Sequence, residues 1–485
     1  MFISSLNKRL VGYLLGIMLM WLGAMCIIPA VVSLYFVETD ARIFILTFLV
    51  FVLLGFTFTY ICKEYNRIIT KRDGQISVGF MWIIIPLLGS MPYMFFPDVF
   101  SISDSIFESY SGFTTTGSTI IEDFSKVPKG LLVYRALTQW IGGLGFTLLI
   151  IMSLKHFPGS FNNLFNAEFF SINSGKLYPH LRDTVNRILI IYISLTVFCF
   201  VCLLFGDMDW LTALCHSLST ISTGGFSTLN TNVGSFNDYT QYIIVLFMFL
   251  SGISYFLILK FFKGMFKSVA KDEQFRWYVL LILFAAGVFV LYWTFKTDMP
   301  FWEKIKDGLF YTVSIISSTG YDIQTHNVGL FVSVAMICLM FIGGCSASSA
   351  TGLKIIRAIL LFKFSKVSLV RIFHPHAIIP VRYNSTAVAD EDIRRIFGFF
   401  FLYIMIFIAG VFFLCLFGNS LNSSIAMSIA NLGNIGPVVS GYISDFSYSS
   451  LNISSQITLM FLMMIGRLEI YSFFALFSKS LWRKM

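Results

Sequence analysis

The chain has 485 residues, 57% of them hydrophobic and 12% charged, with a formal net charge of +9 and a mean hydropathy of +0.80. Soluble domains carry about twice that charged fraction. No stretch is polar enough to form a separate one, so extramembrane enzymes and nucleic-acid-binding proteins are excluded, and the expected class is an all-α polytopic membrane protein.

A membrane-crossing helix needs about 20 predominantly apolar residues. In chain order, the runs 10–36, 43–62, 78–97, 131–154, 187–206, 240–262, 277–295, 328–362, 395–418 and 453–481 have that length and composition. The first follows Lys8 and Arg9 but is longer than the core of a signal peptide, about 7–15 residues, so it is read as a retained span. Basic residues fall unevenly. Lys63, Lys71, Lys263, Lys267, Lys354, Arg357, Arg394 and Arg483 lie on one side; Arg42, Lys126, Lys129, Lys296, Lys304 and Lys306 lie on the other, with Arg135 at its border. The richer side is expected to be cytoplasmic, with both termini there. Acids such as Asp98, Glu122, Asp209, Asp238 and Glu303 gather on the outer face, where they would concentrate cations. Cys199-x-x-Cys202 has no second pair and no nearby His, so it reads as packing and not as a zinc site.

Four outer connections contain a moderately apolar stretch, too short to cross, followed by a polar segment with glycine. Aligned on one glycine, they read FESYSGFTTTGST around Gly117, LCHSLSTISTGGFST around Gly224, FYTVSIISSTGYD around Gly320 and AMSIANLGNIGPV around Gly436. In this alignment the two preceding positions are Thr115-Thr116, Ser222-Thr223, Ser318-Thr319 and Asn434-Ile435. His216 then shares a place with Ser109, Thr312 and Ser428. The pattern predicts four repeats of helix, re-entrant half-helix and helix around a pseudo-fourfold pore, over 73–156, 157–264, 265–363 and 364–485, after two additional N-terminal helices in 1–72. Potassium channels use four backbone-carbonyl loops of TVGYG type. One shared glycine per loop predicts a shorter filter, with K+ at Thr116, Gly117, Thr223, Gly224, Thr319, Gly320, Ile435 and Gly436.

The run 328–362 exceeds one straight span and is interrupted by Gly343-Gly344-Cys345-Ser346-Ala347-Ser348-Ser349-Ala350-Thr351-Gly352. Small and hydroxylated residues sustain a helix poorly, so an unwound segment beneath the filter is expected. Arg467 sits in mid-span, where a charge costs from ~2.5 to more than ~10 kcal/mol. Glu469, two residues on, points to another helix face and is not a local partner.

These motifs make the sequence similar to the potassium-uptake membrane subunits of the Trk/Ktr/HKT superfamily. SGFTTTGST at 111–119, QWIGGLG at 139–145, STGGFST at 222–228, SSTGYD at 317–322, GGCSASSATGLK at 343–354 and GRLE at 466–469 carry the resemblance. The two extra N-terminal spans resemble the Trk type. The resemblance implies potassium uptake across a bacterial inner membrane and a homodimer with one pore per protomer. It also implies a TrkA-like cytosolic ring of nucleotide-binding regulatory subunits, an intramembrane gating loop at 343–352, and Arg467 beside the cavity below the filter.

No H-E-x-x-H or G-x-S-x-G motif is present and no paired histidines face each other on spans, which argues against an enzyme. The rival function is a Na+- or H+-coupled potassium symporter. Such carriers usually hold acids within spans, and here Glu469 alone lies deep in one. No covalent cofactor is expected: K+ is the transported ion, and nucleotide would act only through the separate subunit. The basic segments 260–276 and 354–382 suit anionic membrane lipids; the loops 156–186 and 366–394 are candidate docking surfaces.

Overall fold

The computed structural model describes residues 7–65, 70–153, 181–323, 329–374, 379–436, 447–468 and 470–477. Helices α1 (Lys8–Tyr35) and α2 (Ala41–Ile61) form an antiparallel pair. Their backbones touch where side chains vanish: a Cβ on Gly16 would lie 2.8 Å from the Gly55 carbonyl oxygen, and one on Gly55 would lie 2.7 Å from that of Gly16. Close backbone approach at small residues is how helices associate where the solvent is lipid. Asp73 joins this pair to the rest. It closes a capping box with Thr70 at the start of α3 (Lys71–Gly89), and its other oxygen accepts the Asn7 backbone N–H at 3.1 Å.

Four units follow. The first contains α3, the short α4 (Met91–Met94), half-helix α5 (Ile102–Phe113), and α6 (Lys129–Leu144) continued by α7 (Phe146–Ser153). The second has α8 (Leu181–Leu204), half-helix α9 (Trp210–Ile221), α10 (Asp238–Ser251) and α11 (Tyr255–Phe262). A short α12 (Phe266–Lys271) leads into the third: α13 (Glu273–Lys296), half-helix α14 (Phe301–Ile316), α15 (Leu330–Met340) and α16 (Ile355–Phe373). The fourth has α17 (Asp390–Leu416), half-helix α18 (Leu421–Leu432), α19 (Ile453–Leu468) and α20 (Ile470–Phe477). At 1.5 Å per residue a 12-residue half-helix reaches about 18 Å, short of the ~30 Å hydrocarbon core.

The first helix of each unit is continuous, and in the first three units the second is broken. Gly145 interrupts the first unit with φ +80°; α10 and α11 meet at a 99° bend; residues 341–354 separate α15 from α16. Among the described residues, six helices could cross a membrane by length and composition, or seven with the bent pair taken as one. The ten apolar runs all contain helix, and the shortfall arises from these breaks. The protein is a multi-pass membrane protein.

One expected loop takes a different form. The stretch 366–394 is mostly ordered structure: α16 runs to Phe373, a two-stranded hairpin pairs β1 (Arg382–Tyr383) with β2 (Thr386–Ala387), and α17 begins at Asp390. A local apolar cluster of Ile356, Leu360, Val381, Tyr383, Val388, Ile393 and Ile396 seats this hairpin. Most of the 156–186 segment lies outside the described residues.

Leucine at either Gly16 or Gly55 must force α1 and α2 apart, because the obstructing atoms are backbone. Overpacking of this kind costs about 1–3 kcal/mol. Gly16→Leu and Gly55→Leu should each lower the melting temperature of the detergent-solubilised protein, whereas leucine at lipid-facing Phe56 should not.

Candidate permeation pathway

The four half-helices end in one shared backbone device. The first residue beyond each, Thr114, Ser222, Ser317 or Gly433, still donates its N–H to a carbonyl one turn back: Tyr110, Leu218, Val313 or Ile429. The next residue is left-handed: Thr115 at φ +56°, Thr223 at +56°, Ser318 at +57° and Asn434 at +50°. The third, Thr116, Gly224, Thr319 or Ile435, reaches back five residues to the carbonyl of Ser111, Ser219, Ser314 or Ala430 at 2.8–2.9 Å. The fourth is a glycine of positive φ: Gly117 at +83°, Gly225 at +78°, Gly320 at +77° and Gly436 at +72°.

This pattern shifts the second repeat by one residue from the sequence alignment. Gly225, not Gly224, is the counterpart of Gly117, Gly320 and Gly436, and Thr223 corresponds to Thr115, Ser318 and Asn434. Gly224 is required for a different reason. A Cβ there would lie 2.3 Å from the Gln139 amide carbon, whose Nε2 donates to the Gly224 carbonyl at 2.7 Å. Gln139 Oε1 accepts from Ser219 Oγ at 2.7 Å and from the Phe226 N–H at 3.3 Å. The same shift moves His216, which aligns with Glu108, Tyr311 and Met427; Ser217 takes the place beside Ser109, Thr312 and Ser428.

The turns pack against one another. A Cβ on Gly225 would sit 2.1 Å from the Thr319 carbonyl oxygen, and one on Gly436 would sit 1.9 Å from that of Thr116. Those contacts join turns two and three, and turns four and one. Asn434 Nδ2 also donates to Thr116 Oγ1 at 2.8 Å. Gln139, from the first unit, reaches turn two, while Thr351 joins three to four, its N–H donating to Ser318 Oγ at 3.0 Å and its hydroxyl to the Gly433 carbonyl. A cavity lined by Gly117, Thr119, Glu122, Gly225 and Ser227 adjoins turns one and two. There, hydrogen bonds from Ser125 hold the Asp123 carboxyl below its ordinary range.

Below the turns, residues 343–351 are buried. A Cβ on Gly343 would lie 1.7 Å from the Thr351 carbonyl oxygen, so the segment doubles back on itself. Its backbone meets the break in unit two: the Cys345 N–H donates to the Gly252 carbonyl at 3.0 Å, and the Tyr255 N–H donates to that of Ala347 at 2.9 Å. Ser349 Oγ donates to the Ile221 carbonyl at 3.1 Å and also pairs with the Tyr255 hydroxyl. Arg467 donates to the carbonyls of Ser349 at 2.8 Å and Gly142 at 2.6 Å. Ser348, Ser349, Thr351, Lys354, Arg357 and Arg467 line a second cavity at this level. Glu469 lies outside the described residues.

The TrkH family model, described as a cation transport protein, matches residues 40–484. The chain belongs to the TrkH family. It is 30% identical to the Trk system potassium uptake protein TrkH of Escherichia coli K12, over 99% of this chain and 100% of that one. Against the Trk system potassium uptake protein TrkG of the same strain it is 30% identical, over 99% and 100%. The crystal structure of the potassium transporter TrkH from Vibrio parahaemolyticus superposes with a TM-score of 0.87 at 27% identity, covering 98% of this chain and 100% of that one. Its relatives in the TrkH family are transporters and not enzymes.

Several residues around this TrkH-family pathway carry no role in the sequence reading. Glu108 and Arg135, 0% and 1% exposed, form a buried pair with Nη2 and Oε1 at 2.7 Å. Arg135 also donates to the Ser227 carbonyl at 3.3 Å and stacks on Phe226, 3.9 Å from the ring centre. Two opposite charges in otherwise apolar surroundings are the available signal, since such groups persist there when paired. Gln274 is a second such residue: its Oε1 accepts from Ser346 Oγ at 3.1 Å and from the Tyr383 hydroxyl at 3.4 Å.

The two neighbouring glycines should separate in a suppressor experiment. Gly224→Ala clashes with a side chain that can be shortened, whereas Gly225→Ala meets backbone and demands a positive φ. Cation uptake by proteoliposomes should recover in part when Gln139→Ser is added to Gly224→Ala, and should stay lost when it is added to Gly225→Ala.

Proposed function

We propose that the chain carries potassium across a bacterial inner membrane through a channel-like filter, with both termini cytoplasmic. The observation that carries this is the fourfold turn. Four backbones of matching φ sequence surround one centre between two cavities, and each spends its N–H groups on its own half-helix. Carbonyls are thereby left for a dehydrated cation. The half-helices also aim their C-terminal, partially negative ends at that centre. The curated relatives named above are potassium uptake proteins, which favours K+ as the ion.

In this reading the ion meets carbonyls of Thr115, Thr116 and Gly117; Thr223 and Gly225, the Gly224 carbonyl being taken by Gln139; Ser318, Thr319 and Gly320; and Asn434, Ile435 and Gly436. Ser222 falls at the helix end instead. Residues 343–352 form the gate, and Arg467 holds it shut by donating to Ser349 while adding positive charge to the path. A homodimer, a nucleotide-binding TrkA-like partner on the cytoplasmic face and anionic lipids at the basic segments complete the proposal. The hairpin 382–387 is the ordered cytoplasmic feature available for such a partner.

Arg467→Ala should raise rubidium influx into proteoliposomes, and deletion of 345–350 should raise it further. Influx unchanged by both would remove the gate from the proposal. Gly117→Ser should let sodium compete more strongly with rubidium, because a side chain at φ +83° distorts one quarter of the ring. Sodium competition held at the wild-type level would count against the filter.

A further inference from the structure

Behind each filter segment the half-helix presents one residue at a fixed place, seven positions before the left-handed turn residue: Glu108, His216, Tyr311 and Met427. In three repeats that side chain bonds to the residue two past the turn glycine. Thr119 Oγ1 donates to Glu108 Oε1 at 3.0 Å, His216 Nε2 lies 3.2 Å from Ser227 Oγ, and the Tyr311 hydroxyl donates to Asp322 Oδ1 at 3.0 Å. The separation along the chain is 11 residues each time. Three unrelated pairs of chemical groups make the same tie, which points to a demand of position and not of any one reaction. The fourth repeat has Met427 and, two past Gly436, Val438. That pair has no hydrogen atom to donate between side chains.

We propose that Glu108, His216 and Tyr311 are specificity-determining positioning residues of the pathway. Each anchors the outgoing filter segment to its half-helix and so fixes how far the adjacent carbonyls stand from the axis. This inference rests on the filter reading given above. A ring of carbonyls accepts the smaller sodium ion well only by moving inward, and a segment bonded from behind resists that movement. The first tie is the most reinforced, because Glu108 also accepts the Ile120 N–H at 3.2 Å and Arg135 Nε at 2.8 Å. The fourth quarter, lacking a polar pair at these positions, is the compliant one.

Tyr311→Phe removes one hydroxyl and leaves the ring in place. In proteoliposomes loaded for rubidium uptake, this variant should be half-inhibited at a sodium concentration roughly fivefold lower than wild type, the factor expected for one hydrogen bond. Asp322→Asn keeps an acceptor for Tyr311 and should lie nearer wild type. Met427→Leu removes no tie and should keep the wild-type value. Sodium inhibition unchanged in Tyr311→Phe would overturn the inference, as would an equal shift in Met427→Leu. Thr119→Val provides the same readout in the first repeat should Tyr311→Phe fail to assemble. Gly320→Ala in the same assay separates the two levels. If it too leaves sodium inhibition unchanged, the filter reading fails; if it shifts inhibition while Tyr311→Phe does not, the positioning role alone fails.

Discussion

Irregular backbone at membrane depth must satisfy its hydrogen bonds inside the protein, and this constraint organises the fold. Each turn meets it by the same economy of groups. Three successive N–H groups after the half-helix close back onto helical carbonyls, so the turn's own N–H groups are satisfied without a neighbouring strand or helix. The left-handed residues at 115, 223, 318 and 434 are a consequence of that closure. A non-glycine in this conformation costs about 1–3 kcal/mol and persists where its surroundings over-determine it. Here the surroundings are other turns and the segment beneath them: Asn434 on Thr116, Thr351 on Ser318, and Gly225 against Thr319.

The same constraint explains why the second helix is broken in the first three units. A continuous helix would use up all its own backbone groups and offer none to its neighbours. The break at 252–254 supplies the Gly252 carbonyl and the Tyr255 N–H to residues 345–347, and Gly142, before the break at Gly145, supplies a carbonyl to Arg467. The two buried arginines solve different problems. Arg135 meets a carboxylate and braces the segments that follow turns one and two, whereas Arg467 bonds to carbonyls on two separate units. Removing either side of the Glu108–Arg135 pair would strand a buried charge, typically a loss of about 3–5 kcal/mol.

Spans, repeat number and the unwound segment are legible in the sequence because each has a strong local signal: apolar length, a recurring glycine, and a run of small residues too long for one helix. The register of the second turn is not. Ser222-Thr223-Gly224-Gly225 offers two glycines, and the hydroxyl pattern before Gly224 imitates the other repeats. Only φ separates the glycine that must be left-handed from the one that makes room for Gln139. Partnerships across the fold were equally hidden. Glu108 and Arg135 are 27 residues apart, and Asn434 and Thr116 are separated by 318. The hairpin 382–387 escaped notice because two-residue strands leave almost no alternating pattern to read.

The third unit differs from the others in supplying both a turn and the segment beneath the turns. That places one helix start, Gln274, between the buried segment and the hairpin. Its side-chain oxygen accepts from Ser346 within the buried segment and from Tyr383 in the hairpin, while Asn384 caps the same helix by accepting the Glu273 N–H and donating to Asp272. Lys363 of α16 bonds to Glu273 and to the Arg382 carbonyl, closing the arrangement from the other side. The hairpin and residues 345–347 are thus anchored to one helix end, and neither can be displaced far without breaking bonds at Gln274. The opposite end of the segment, through Thr351, is bonded to turns three and four. The buried segment 345–351 therefore links the hairpin, through Gln274, to turns three and four, through Thr351.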